Sequence, residues 1–122
     1  MNHEIKFRAW HKEEKAMVYF DLFHIDEGRI DGSFENRWNL DECEIMRFTG
    51  LFDKIGKEVY EGDIIDDIGG IIIYDVELGG FCIEKSHAQR SQIHFSYLRT
   101  YRADFTIIGN IYETPEKTYN SK

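Results

Sequence analysis

Near the N-terminus, Ile5, Phe7 and Ala9 alternate with Lys6, Arg8 and Trp10. An apolar–polar period of two predicts a β-strand with one apolar face. Polar residues 11–15 separate it from a second strand over residues 17–20, so the chain opens on a hairpin with a longish loop. Residues 22–30 fit another hairpin. Asp26, Glu27 and Gly28 supply its turn, because glycine takes positive φ without a Cβ penalty. Residues 32–39 are polar except for Phe34 and Trp38 and read as a loop.

Strand signals then become denser. Met46, Arg47 and Phe48 are strand-like, and Leu51-Phe52 and Glu58-Val59-Tyr60 flank Asp53-Lys54-Ile55-Gly56. An Asp at the start and a Gly at the end of such a loop suit a type I turn closed by a glycine bulge. Glu61-Gly62-Asp63 turns the chain into Ile64-Ile65, and Gly69-Gly70 breaks it again. Residues 71–78 have strong β character, Gly79-Gly80 make the next turn, and Phe81-Cys82-Ile83 return. Ser96 caps a short helix carrying Tyr97, Leu98 and Tyr101. Residues 105–112 form a last strand with Gly109 inside it, and the polar tail frays beyond Pro115.

The pattern predicts one mainly β domain of the β-rich α+β kind, spanning residues 1–122. N-terminal β-hairpins (residues 1–45) pack on a small C-terminal barrel (46–116) with one short helix, and 117–122 form a tail. Length agrees, since 122 residues make one ordinary domain. So does composition: 15% aromatic residues and a single Pro favour strands and leave little room for disorder.

Three blocks carry a family resemblance. The first is Ile5-Lys6-Phe7-Arg8-Ala9-Trp10, followed by Lys15 and Met17. The second, over residues 46–65, contains Phe48-Thr49-Gly50-Leu51-Phe52-Asp53-Lys54-Ile55-Gly56-Lys57-Glu58-Val59-Tyr60-Glu61-Gly62-Asp63. The third is Ile107-Ile108-Gly109-Asn110-Ile111-Tyr112-Glu113-Thr114-Pro115-Glu116. In this order they resemble the YopX-like family of small phage and prophage proteins. Residues 18–44 and 66–104 match only in general character, and His11 stands where many relatives are expected to have Asp. The resemblance implies phage or prophage origin, a β-rich fold and an SH3-like barrel in the C-terminal part. It brings no activity, cofactor or catalytic residue.

Charge narrows the function classes. The formal charge is −8, spread along the chain, and such a surface repels nucleic-acid phosphates and anionic lipid. No apolar run approaches a membrane span, and no signal segment opens the chain, so a cytoplasmic location in a bacterial host is expected. Cys43 and Cys82 form no CxxC pair and read as reduced, buried thiols. Glu42 and Glu44 flank Cys43, and an apolar strand surrounds Cys82; both settings oppose a thiolate nucleophile.

Other chemistry is sparse. His3, His11, His24, His87 and His94 are scattered, with no HExxH. Glu61 with Asp63 and Asp66 with Asp67 could bind a cation or share a proton, but solvated turns explain them more simply. No catalytic, cofactor or metal residue is therefore assigned, and no cofactor is expected. Arg90, Tyr97, Arg99, Tyr101 and Arg102 form the one basic-aromatic mix, suited to stacking bases and pairing phosphates. Arg8 and Trp10 share a strand face, a pairing enriched at protein interfaces. If that hairpin is an edge, it also offers backbone groups to a second copy.

The sequence thus points to a non-enzymatic phage accessory protein, a protein-interaction or assembly module working as a homo-oligomer. A phage or host protein is the next partner. The alternatives are a nucleic-acid-associated small barrel, or an acidic decoy of a host DNA-binding protein.

Overall fold

The alternation at the N-terminus does produce paired strands. In the computed structural model, which describes residues 5–32, 36–86, 89–93 and 102–119, the protein is mainly β. Its helical segments among these residues are three-residue 3-10 turns: Leu22–His24, Leu40–Glu42 and Pro115–Lys117. The helix expected at residues 96–101 lies outside the described residues. Two compact units are present, Met1–Phe48 and Thr49–Lys122.

In the first unit, β1 (Lys6–His11) and β2 (Ala16–Asp21) form an antiparallel hairpin with unbroken register from Lys6↔Asp21 to His11↔Ala16. Residues 12–15 make the loop, where Lys15 takes φ 54° and its N–H donates to the His11 carbonyl at 2.8 Å. β5 (Cys43–Phe52) pairs with the other side of β1, from His11↔Cys43 to Phe7↔Arg47. β1 is therefore an inner strand and β2 an edge.

β3 (Arg29–Asp31) and β4 (Arg37–Asn39) form a separate antiparallel ribbon, which corrects two expectations. Asp26 and Arg29 do form the turn expected around Glu27 and Gly28. The partner of β3 is β4, however, inside the expected loop. The N-terminal arm of the expected hairpin is instead the 3-10 turn capped by the Asp21 carboxylate, which accepts from Phe23 N at 2.9 Å. Each ribbon strand buries only its middle residue, Ile30 and Trp38, directly opposite each other. One apolar residue per three-residue strand shows no period. Ala9, Phe20, Ile30, Trp38 and Cys43 form this unit's core.

In the second unit the end of β5 pairs with β6 (Glu58–Tyr60). β7 (Asp63–Ile65), β8 (Ile71–Asp75), β9 (Gly80–Ser86), β10 (Gln89–Ser91) and β11 (Ile107–Asn110) form a five-stranded sheet in the order β10-β9-β8-β7-β11. All of its pairings are antiparallel. Val59, Ile65, Ile72, Ile83, Ala103, Phe105 and Ile107 build the core. Burying an Ile fully, as at positions 65 and 72, contributes roughly 2 kcal/mol each.

The β8–β9 turn departs from the Gly-Gly reading. Asp75 pairs with Gly80, leaving residues 76–79 as the loop. The Asp75 carboxylate accepts from Glu77 N at 2.9 Å and Leu78 N at 3.1 Å, and Gly79 closes the turn at φ 70° with its N–H on the Asp75 carbonyl at 2.8 Å, so a side chain and one glycine set it together. The tail is also more ordered than its polarity suggests. Tyr119 N donates to the Gly69 carbonyl at 3.0 Å and its hydroxyl to Glu84 at 2.8 Å.

Candidate functional site

Two of the four carboxylates considered for cation binding, Asp63 and Asp66, are bonded to backbone N–H groups. Asp53 is fully buried. Its Oδ1 accepts from Ile55 N at 3.1 Å and Lys57 N at 2.8 Å, and its Oδ2 from Ile107 N at 3.0 Å. Gly56 closes the turn at φ 93°, a conformation that suits glycine. Asp63 is buried and accepts from Tyr60 N at 2.7 Å, which corrects its assignment to a solvated turn. Asp66 accepts from Thr106 N at 3.1 Å, and Asp67 pairs with Lys85 at 2.9 Å. The Asn110 side chain likewise accepts from Tyr112 N at 3.0 Å and Glu113 N at 2.8 Å. Among the described residues no three or more His, Cys, Asp or Glu side chains gather where they could hold a metal.

Both thiols are free and buried. Burial pushes the Cys43 thiol up, and Glu42 adds to it. Burial also raises Cys82, with Asp75 contributing. His11 is buried, accepts at Nδ1 from Glu13 N and Glu14 N, and lies with its ring 4.8 Å from that of Trp38 at a tilt of 53°. His24 sits 2.6 Å from Asp21, and this bond holds the Asp21 carboxyl below its ordinary range. His3, His87 and His94 lie outside the described residues.

The basic-aromatic mix is only partly described. Arg90 donates to Asp75 at 2.7 Å and to Glu84 at 3.5 Å, so its charge is already matched by carboxylates. This pairing, more than the turn N–H groups, holds the Asp75 carboxyl below its ordinary range. Arg102 is exposed; Tyr97, Arg99 and Tyr101 lie outside the described residues. A cavity of about 120 Å³ is lined by Ile65, Asp67, Ile83, Lys85, Ser91 and Phe105 among others. It has room for roughly four waters and falls well short of the ~300 Å³ of a small-molecule pocket. Ser91 Oγ is buried beside it with no partner among the described residues.

The interface reading of β1 needs one correction. Arg8 is buried, with Nε 3.4 Å from the Met46 sulfur, and Trp10 is half-buried. The exposed apolar residues lie nearby instead: Phe23 is 95% exposed, Ile5 60%, Tyr19 58% and Leu22 50%. Sequence reading passed over Phe23 because it sat in an expected strand. The signal was Asp21 ahead of it, which caps the turn and leaves the ring outside.

Set against known proteins, the chain matches the family described as YopX protein over residues 6–117. The chain belongs to the YopX family. Among curated proteins nothing matches. This YopX protein is also similar to a solved structure, protein EF1440 from Enterococcus faecalis. The two share 28% identity with a TM-score of 0.60, and the match covers 92% of this chain and 96% of that one. The blocks behind the resemblance map onto β1, onto β5 through β7, and onto β11 with its following turn. In this YopX chain the second and third blocks hold Asp53, Asp63 and Asn110, whose side chains bond backbone N–H groups. They also hold Gly109, where a Cβ would overlap the Thr114 hydroxyl. These are architectural demands, which explains why the motif is legible while no reaction is.

Proposed function

We propose that this YopX protein is a non-enzymatic protein-interaction module that self-assembles. We place it as a phage or prophage accessory protein in the bacterial cytoplasm. One observation carries the assembly reading. Among the described residues, the exposed apolar side chains of the second unit, Ile55, Ile68, Val76 and Leu78, all sit in turns. In the first unit Tyr19 stands on the edge strand β2, and Leu22 and Phe23 follow that strand directly, while Ile45 on β5 faces the other side of the sheet. Apolar groups along one edge strand and its flank suit a macromolecular contact.

The non-enzymatic reading is supported by the use of Asp53, Asp63, Asp66 and Asp75 as backbone acceptors, and by the raised thiols. An SH3-like closure of the second unit also belongs to this reading. Ala103 N donates to Phe52 O at 2.6 Å and Lys54 N to Phe105 O at 2.8 Å, joining the end of β5 to the chain before β11. The bacterial setting rests on the family and on the Enterococcus faecalis neighbour. Light scattering at micromolar concentration tests assembly. The expected mass is a multiple of 14.5 kDa; a strict monomer over the whole concentration range overturns the proposal.

A further inference from the structure

Strand edges differ sharply in how they are guarded. An open edge presents unpaired N–H and C=O groups, and natural sheets blunt it with short strands, bulges, charges or a covering contact. β11 has a register shift at Ile107/Gly109, and the Lys117 ammonium donates to the Ile108 carbonyl at 3.0 Å. β10 is three residues long, shifts register at Gln89/Arg90 and carries a charge at Arg90. β6 is also three residues long. β3 and β4 carry Arg29, Asp31 and Arg37.

Among the described residues β2 shows none of these devices along Ala16 to Phe20. It is six residues long, its register with β1 is unbroken, and Ala16-Met17-Val18-Tyr19-Phe20 holds no charge and no Pro. Its charges stand at the two ends, Lys15 just before the strand and Asp21 as its last residue. Both reach solvent, Lys15 exposed and Asp21 half-buried.

We infer that β2 pairs antiparallel with β2 of a second copy about a twofold axis centred on Val18. The inference rests on the assembly reading and gives it a surface. A twofold perpendicular to the sheet keeps each side chain opposite one on the same face. Centred on Val18, it sets Met17 against Tyr19 of the second copy and Ala16 against Phe20. It also sets Lys15 against Asp21, twice by symmetry. Centring on Tyr19 instead would put Met17 against Asp21 and leave Lys15 unmatched, so charge selects the Val18 register. Asp21 caps the Leu22–His24 turn through Oδ1, to which Phe23 N and His24 both bond. Phe23 then projects beside the joint. The product is a continuous sheet running β5-β1-β2 into β2-β1-β5 of the second copy.

Concentration-dependent mass measurement on variants tests this. Lys15→Glu turns two attractive cross-strand pairs into two repulsive ones and should raise the half-dissociation concentration by about tenfold. Adding Asp21→Asn removes the repulsion while keeping a cap acceptor, and should recover most of that loss. Tyr19→Lys places a charge on the edge and should also weaken assembly. Unchanged near-UV circular dichroism certifies the fold of each variant. An assembling parent whose Lys15→Glu and Tyr19→Lys variants assemble equally well overturns the β2 joint and leaves assembly through another surface standing. A monomeric parent overturns both.

Discussion

In Met1–Phe48 the residue closing the ribbon onto the sheet is Trp38, an apolar ring lying against His11 and opposite Ile30. In Thr49–Lys122 the comparable task falls to Asp53, a carboxylate with no exposed surface and three backbone donors. Each unit keeps one buried polar group with no partner among the described residues, the Trp38 indole N–H in the first and the Ser91 hydroxyl in the second. Charge-assisted hydrogen bonds hold the turns of the second, and these demand both ionisation and geometry. The difference separates roles. The first unit ends its sheet on the apolar strand β2, with His11 and Asp21 serving its turns, whereas the second commits Asp53, Asp63, Asp66 and Asp75 to backbone N–H groups.

The comparison breaks most visibly at Asp53. Asp53→Ala removes the acceptor of three backbone N–H groups, that of Ile107 among them buried, and should cost about 4 kcal/mol, read as a lower urea midpoint. A loss below about 1 kcal/mol would mean water replaces the carboxylate and the contrast is false. In the first unit Ile30→Ala should cost about 3 kcal/mol by opening a cavity under Trp38. An unchanged midpoint there would show that the ribbon contributes nothing to folding.

The smallest effect concerns pH. Asp75 is held below the ordinary carboxylate range by Arg90, so it contributes stability above that range and loses it as pH falls through the lowered value. Arg90→Ala lets Asp75 protonate at higher pH. The urea midpoint should therefore fall slightly at neutral pH, and the difference from the parent should shrink as pH falls through the lowered value. A midpoint that stays put would remove Arg90 from the account.

Local chemistry made much of this readable in advance. The Asp53-to-Gly56 turn, β1, β7 and the glycine inside β11 follow from alternation and turn residues. The ribbon was not readable because β3 and β4 each bury one side chain, and their pairing is a fact of tertiary structure. Asp63 was misjudged for a related reason. Its sequence neighbourhood is that of a surface turn, while its burial comes from the sheet around it. For the candidate interface, the strand residues were visible from the start. Which strand lay at the edge was not, because that depends on β5 arriving on the far side of β1.

The Asp53–Ile107 bond also bears on how quickly this protein can acquire its shape. Its partners are 54 residues apart in sequence, so the second unit must close a long loop before that carboxylate is satisfied. Bringing such ends together costs about 3.5 kcal/mol of chain entropy before any return, and topologies rich in distant pairings reach the native state in milliseconds to seconds. A nascent chain has made Asp53 long before Ile107 leaves the ribosome. Until then the Asp53 carboxylate has only two of its three bonds, and the second unit waits on its last strand.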